Sequence, residues 1–131
     1  MTLIDASFLI DYTDPEADHH EAALNYLSER DGPYFTSPVA LYELYEGVAW
    51  VHGPEAIDDV EEDLWWVEPV EFSASIAVRA ARLTCSLKRS GDEINGADAL
   101  IAATALAIDQ PVLANDRHFD RIDGLDVLSY V

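Results

Sequence analysis

The sequence predicts an α/β fold, a three-layer sandwich whose central parallel sheet of about four to five short strands is flanked by helices. Short apolar runs alternate with segments of helical periodicity along the whole chain. Thr2-Leu3-Ile4-Asp5 is an unbroken apolar run ending on an acid, the pattern of a strand buried on both faces. Gly96 to Ile108 is apolar on nearly every side, which requires a helix packed centrally against other elements. Strands separated by helices pair in parallel, because the crossover returns each strand in the same direction.

The elements follow in order. After the first strand, Ser7 offers an N-cap for a short helix through Phe8, Leu9 and Ile10 that stops near Thr13. Asp14-Pro15-Glu16 supplies a cap, a first-turn proline and an acid at the positive dipole end, predicting a second helix to Arg30. Pro33–Thr36 reads as a second strand. Ser37-Pro38 repeats the cap-plus-proline signal before a third helix, Val39–Val51, which Gly53-Pro54 ends. Glu55 to about Leu64 is a fourth, acidic helix. Trp66–Val70 is a strand confined to a sheet edge or end by Pro69. Ser73–Arg89 is the fifth helix, Gly96–Ile108 the sixth, and Pro111–Ala114 and Leu125–Ser129 are the last strands.

The chain has 131 residues, half of them hydrophobic, with 26 Asp and Glu against 7 Lys and Arg and a formal charge of −19. That length fits a single domain over 1–131, and the apolar content excludes disorder. One cysteine, Cys85, excludes a disulfide framework and a cysteine-rich zinc site. No apolar run is long enough to cross a bilayer, and Met1–Asp5 lacks the basic residues of a signal peptide, so a cytoplasmic location is expected. Between Asp31 and Val78 there is no basic residue. At about 1 M salt the screening length falls to roughly 3 Å and such self-repulsion largely disappears, which points to a salt-loving source. A basic partner is a compatible alternative.

Parallel sheets place their sites at the carboxyl ends of strands. Asp5 closes the first strand, and Asp116 follows Val112-Leu113-Ala114 by two residues. Glu43 lies one and a half turns into the third helix, and Asp98 heads the apolar sixth. Singly, Asp98 is also explained as a first-turn acid and Asp5 as a cap. Together, four crowded carboxylates must protonate or share a divalent cation, and oxygen-only donors favour Mg²⁺ or Mn²⁺ over zinc.

Leu3-Ile4-Asp5-Ala6-Ser7, Ala40-Leu41-Tyr42-Glu43-Leu44, Ala97-Asp98-Ala99-Leu100-Ile101-Ala102-Ala103-Thr104-Ala105 and Leu113-Ala114-Asn115-Asp116-Arg117-His118-Phe119 together resemble the four acidic motifs of PIN-domain ribonucleases. The likeness extends over essentially the whole chain and is greatest to VapC-type toxins of prokaryotic toxin–antitoxin pairs. It implies a Mg²⁺- or Mn²⁺-dependent endoribonuclease that hydrolyses RNA to 5′-phosphate and 3′-hydroxyl ends. Asp5, Glu43, Asp98 and Asp116 would form the catalytic and metal-binding quartet. Ser7 matches a small hydroxyl residue near the first acid, Asp120 a fifth acid of some members, and Asn115 and Arg117 flank the site as candidates for support or phosphate contact. The resemblance also implies homodimers and an antitoxin whose apolar, basic C-terminal segment occupies the cleft; an Arg or Lys of that segment would suit the acid cluster and displace the metal. Ala114 departs from the family pattern, which commonly has Thr or Ser there.

Alternatives remain at this point. A catalytically silent PIN-fold binding module or a housekeeping RNA-processing nuclease would share these motifs. A receiver-like domain would need paired acids after the first strand, and a haloacid-type phosphatase Asp-x-Asp, whereas this chain has Asp5-Ala6-Ser7. His19, His20, His52 and His118 lack zinc-site spacing and read as surface or hydrogen-bonding residues. Arg79, Arg82, Lys88 and Arg89 read as ion-paired surface or as a phosphate track. Asp11 reads as a helix-end acid and Cys85 as a packed small side chain. Tyr42, Tyr45, Trp50, Trp65 and Trp66 are assigned chiefly to the core, with a protein interface as the alternative.

Overall fold

A computed structural model describes residues 1–131. Its elements are β1 (Thr2–Ile4), α1 (Ala6–Thr13), α2 (His20–Ser28), β2 (Tyr34–Thr36), α3 (Pro38–His52), α4 (Ala56–Asp63), β3 (Val67–Pro69), α5 (Ala74–Ser90), α6 (Gly96–Ala107), β4 (Val112–Leu113), a 3₁₀ turn (Arg117–Arg121) and β5 (Val127–Leu128). The five strands form one sheet in the order β3-β2-β1-β4-β5, every neighbour parallel. The expected α/β sandwich with a parallel sheet is what the chain forms, with six α-helices flanking the strands.

β1 lies at the centre of the sheet. Leu3 pairs with Phe35 on one side and Val112 on the other. Leu3 and Ile4 point to opposite faces, yet both are fully buried, as the unalternating run predicts. Phe8, Leu9, Ile101, Val112, Leu113 and Phe119 complete the deepest part of the core. α6 runs through it, with Ala99, Ile101, Ala102, Ala103 and Ala105 all buried. Its alanines let neighbouring helices approach closely, so any larger side chain there would overpack the core. No helix is long and apolar enough to cross a membrane.

Four expectations need correction. The second helix starts at His20, not Asp14. Asp14 instead closes a local turn, its carboxylate accepting from the Glu16 N–H at 2.9 Å and its carbonyl from the Ala17 N–H at 3.0 Å. The same side chain can cap a helix or close such a turn, and the His20 ring bonded at 2.8 Å to the Asp11 carbonyl holds the turn form. The cap of α1 is Asp5, not Ser7. Cys85 is exposed, because the buried positions of α5 are Ile76, Ala80 and Leu87. Of the aromatic group, Trp66 packs edge-on against Phe8, Tyr12 and Tyr34, and Tyr45 lies against the core. Tyr42, Trp50 and Trp65 are exposed instead.

Candidate metal centre

The carboxyl ends of β1 and β4 lie side by side, since Ile4 is in register with Leu113. Asp5 and Asp116 therefore leave adjacent strands at the same edge of the sheet. Each caps the helical turn that follows: Asp5 accepts from the Ser7 N–H, and Asp116 from the His118 N–H at 2.8 Å. Glu43 reaches the same region from α3, which begins directly after β2. Asp98 is the third residue of α6, and Asn95 caps that helix in its place, accepting from the Asp98 N–H at 2.8 Å. The Asp98 carboxylate is thereby free of the capping role that would otherwise explain it.

Ser7 ties the two strand ends together. Its hydroxyl donates to Asp5 Oδ2 at 2.8 Å and accepts from the Asn115 N–H at 3.0 Å. Asp5 and Asp98 are only 4% and 6% exposed, deep burial for groups that carry charge. Asp98 Oδ2 is buried and accepts no hydrogen bond. The His118 ring nitrogen lies 3.4 Å from it without hydrogen-bond geometry, and 3.1 Å from Asp116 Oδ1.

Burial and neighbouring charge act on three of the four acids. Burial pushes the Asp5 carboxyl above its usual range; the Ser7 bonds oppose this and the charge of Asp116 adds to it. Asp98 is raised by burial, then by Asp116 and Asp5, while the His118 ring works the other way. Glu43 is raised by burial and by Asp5, Asp98, Glu46 and Asp116. Glu43 thus feels Asp5, Asp98 and Asp116, Asp98 feels Asp116 and Asp5, and Asp5 feels Asp116. The donors that lie closest together are those of Asp98, Asp116 and His118, without Asp5 or Glu43. Such a set of oxygen donors, one of them buried and unbonded, can hold a divalent cation, whose charge would remove the strain of their crowding.

The flanking candidates divide. Ser7 and Asn115 are bonded into the site as described, whereas Arg117 and Asp120 are exposed and make no bond to the four acids. Ala114 is buried and brings no hydroxyl. Two contributors were missed. His118, read as a surface or hydrogen-bonding residue, is half exposed as expected but also stands between Asp98 and Asp116; the signal was its position two residues after an acid that caps a turn. Tyr130 donates to Asp11 Oδ2, so Asp11 is more than a helix-end acid. The Tyr130 ring packs edge-on to Phe8 at 4.7 Å, and burial beside Asp11 pushes its hydroxyl well above the usual range. Among the cations, Lys88 pairs with Glu93 at 3.6 Å, while Arg79, Arg82 and Arg89 make no ion pair.

A second feature lies away from the acids. An apolar groove of about 400 Å³ runs between α1, α3 and α4, floored by Ile10, Leu44, Val48, Val51 and Val60 and edged by Asp14 and Asp59.

Fold and acid cluster define a parallel α/β protein with a candidate divalent-cation centre at the carboxyl edge of its sheet. The sequence profile of the PIN domain matches residues 2–125, and the chain belongs to that family. No curated protein matches it by sequence. Among solved structures, it is similar to a chain of VapBC2 from Rickettsia felis bound to a promoter DNA fragment, with 23% identity, TM-score 0.81 and coverage of 98% of this chain and 97% of that one. VapBC from Salmonella typhimurium bound to DNA matches with 23% identity, TM-score 0.81 and coverage of 99% and 98%. Mycobacterium tuberculosis VapC20, described as a sarcin-ricin loop cleaving toxin, matches with 16% identity, TM-score 0.78 and coverage of 92% and 93%.

Proposed function

We propose that residues 1–131 act as one unit, a divalent-metal-dependent endoribonuclease and the toxin of a type II toxin–antitoxin pair. The observation that carries the proposal is the convergence of Asp5, Glu43, Asp98 and Asp116, with Asp98 Oδ2 buried and unbonded. The similarity to VapBC assemblies and to an RNA-cleaving VapC supports it. Asp5, Asp98 and Asp116, with Glu43, would hold Mg²⁺ or Mn²⁺. When bound, such an ion offsets the charge of the scissile phosphate and makes a water nucleophilic near neutral pH. The protein's own contribution is positional. Ser7 fixes the Asp5 carboxylate against the β4 end, Asn95 releases Asp98 toward the pocket, and the exposed Arg117 at the rim offers a cation to the RNA backbone.

The apolar groove with its acidic edges fits an amphipathic, basic segment of an antitoxin. The exposed Trp50 and Trp65 offer apolar area for a second copy of the chain. The −19 charge supports a cytoplasm rich in salt as the working environment.

The test is RNA cleavage in molar KCl with Mn²⁺, comparing the wild type with Asp5→Asn and Asp98→Asn. Cleavage should fall by about 100-fold or more in each variant, beyond the ~10–100-fold typical of losing a metal site's supporting partners. Equal cleavage by all three proteins would refute the assignment.

A further inference from the structure

We infer that His118 is a nitrogen ligand of the divalent-cation site and biases it toward Mn²⁺ over Mg²⁺. The inference rests on the metal-dependent reading above and adds to it a donor of a different kind.

His118 Nδ1 lies 3.1 Å from Asp116 Oδ1 and 3.4 Å from Asp98 Oδ2, and donor atoms of the three residues lie within 4.8 Å of one another. Around an octahedral ion with bonds of about 2.1 Å, adjacent donors stand roughly 3.0 Å apart and opposite donors roughly 4.2 Å. The two observed separations fall within that window. The carboxylate oxygen facing the ring is the buried atom of Asp98 that accepts no hydrogen bond, so it keeps its lone pairs for an ion.

The ring is placed by the backbone. Asp116 caps the 3₁₀ turn through the His118 N–H, and Phe119, fully buried, anchors the turn in the core. A side chain two residues past the cap is thereby folded back over the capping carboxylate. No other histidine belongs to this group of donors. His20, for instance, is bonded to the Asp11 carbonyl.

An imidazole changes what the site prefers. Mg²⁺ takes oxygen donors and gives up its waters reluctantly, whereas first-row transition ions accept imidazole readily. Three or four carboxylates alone would serve either ion. Adding one nitrogen raises affinity for Mn²⁺ with little effect on Mg²⁺.

The experiment uses the full chain loaded with Mn²⁺ alone. Pulsed electron paramagnetic resonance should show ¹⁴N modulation from a directly bound imidazole, and His118→Ala should abolish it. Mn²⁺ affinity should fall at least about 10-fold in that variant, the lower end of what even an indirect partner's loss causes. Mg²⁺ affinity, measured by competition, should change by less than about 3-fold on the same scale. Bound Mn²⁺ without a nitrogen signal in the wild type, a signal that survives in His118→Ala, or tighter Mn²⁺ binding by the variant would each overturn the inference. The last outcome would mean that the ring competes with the ion for the acids. The wild-type spectrum stands as a test even if the variant folds poorly. RNA cleavage without a nitrogen signal would sink the ligand and spare the nuclease; nitrogen-bound Mn²⁺ in a protein that cleaves no RNA would do the reverse.

Discussion

Asp98→Asn should make the metal-free protein more stable. In the wild type, donor oxygens of Asp98 and Asp116 lie within 4.8 Å of each other, and Asp98 is 6% exposed. Two unit charges at that distance repel by roughly 3–4 kcal/mol at an effective dielectric of ~20. The Asp116 side chain is 30% exposed, so solvent screens part of this. A gain of about 1–2 kcal/mol is expected on removing the Asp98 charge while keeping its shape, or about 4–8 °C in Tm for a chain of this size. The assay is thermal unfolding followed by circular dichroism at pH 8 in molar KCl, with EDTA or with Mn²⁺. In EDTA the variant should melt higher. With Mn²⁺ the order should narrow or reverse, since an ion at 100 times its Kd stabilises the protein that binds it by ~2.7 kcal/mol. A variant less stable than wild type in EDTA would show that the Asp98 charge has a satisfying partner in the fold. That result, or equal Mn²⁺ shifts in both proteins, would refute the reasoning.

The same burial sets a pH dependence. Asp5, Glu43 and Asp98 have raised carboxyl pKa values when folded, so the folded state holds protons that the unfolded chain has released. Metal-free stability should therefore fall as pH rises from the unfolded carboxylate range near 4 through the raised values, and the penalty stays in full above them. The free-energy gap between wild type and Asp98→Asn in EDTA should be small at pH 4 and largest at pH 8; a gap independent of pH would contradict this. Ser7→Ala removes the link between Asp5 and the Asn115 N–H, and should reduce stability by about 1 kcal/mol in urea melts and RNA cleavage by about 10-fold. Tyr130→Phe leaves the Asp11 carboxylate without its donor and should lower stability by about 1–3 kcal/mol in the same melts. With 26 acids against 7 bases, raising KCl from 0.1 to 1 M should lift Tm by more than about 5 °C, read by scanning fluorimetry; a flat response would refute adaptation to salt.

Much of this architecture was legible because local and global signals agree. Ser37-Pro38 caps α3 as its sequence implies, and Ser73, read as the first residue of the fifth helix, is the cap of α5. The apolar run at Thr2–Ile4 is the central strand because only a strand covered on both faces can be so uniformly apolar. The placing of the acids at strand ends and on helices was legible because such ends gather on one side of a parallel sheet. What escaped depended on contacts distant in sequence or on competing local bonds. Asp14 can cap or turn, and the contact of His20 with Asp11 decides between them. The Tyr130 partner of Asp11 lies 119 residues away and leaves no local trace. His118 was set aside because helical metal motifs pair ligands three or four residues apart. Here a 3₁₀ turn brings together residues two apart, and α6 supplies the third donor.

The central claim is that distant carboxylates share one pocket for a divalent ion. Crystals soaked in Mn²⁺ and measured at the manganese absorption edge test it directly. An anomalous peak within bonding distance of Asp5, Asp98 and Asp116 is the predicted result. Ordered acids with no peak among them at millimolar Mn²⁺, or manganese bound only elsewhere on the surface, would contradict it.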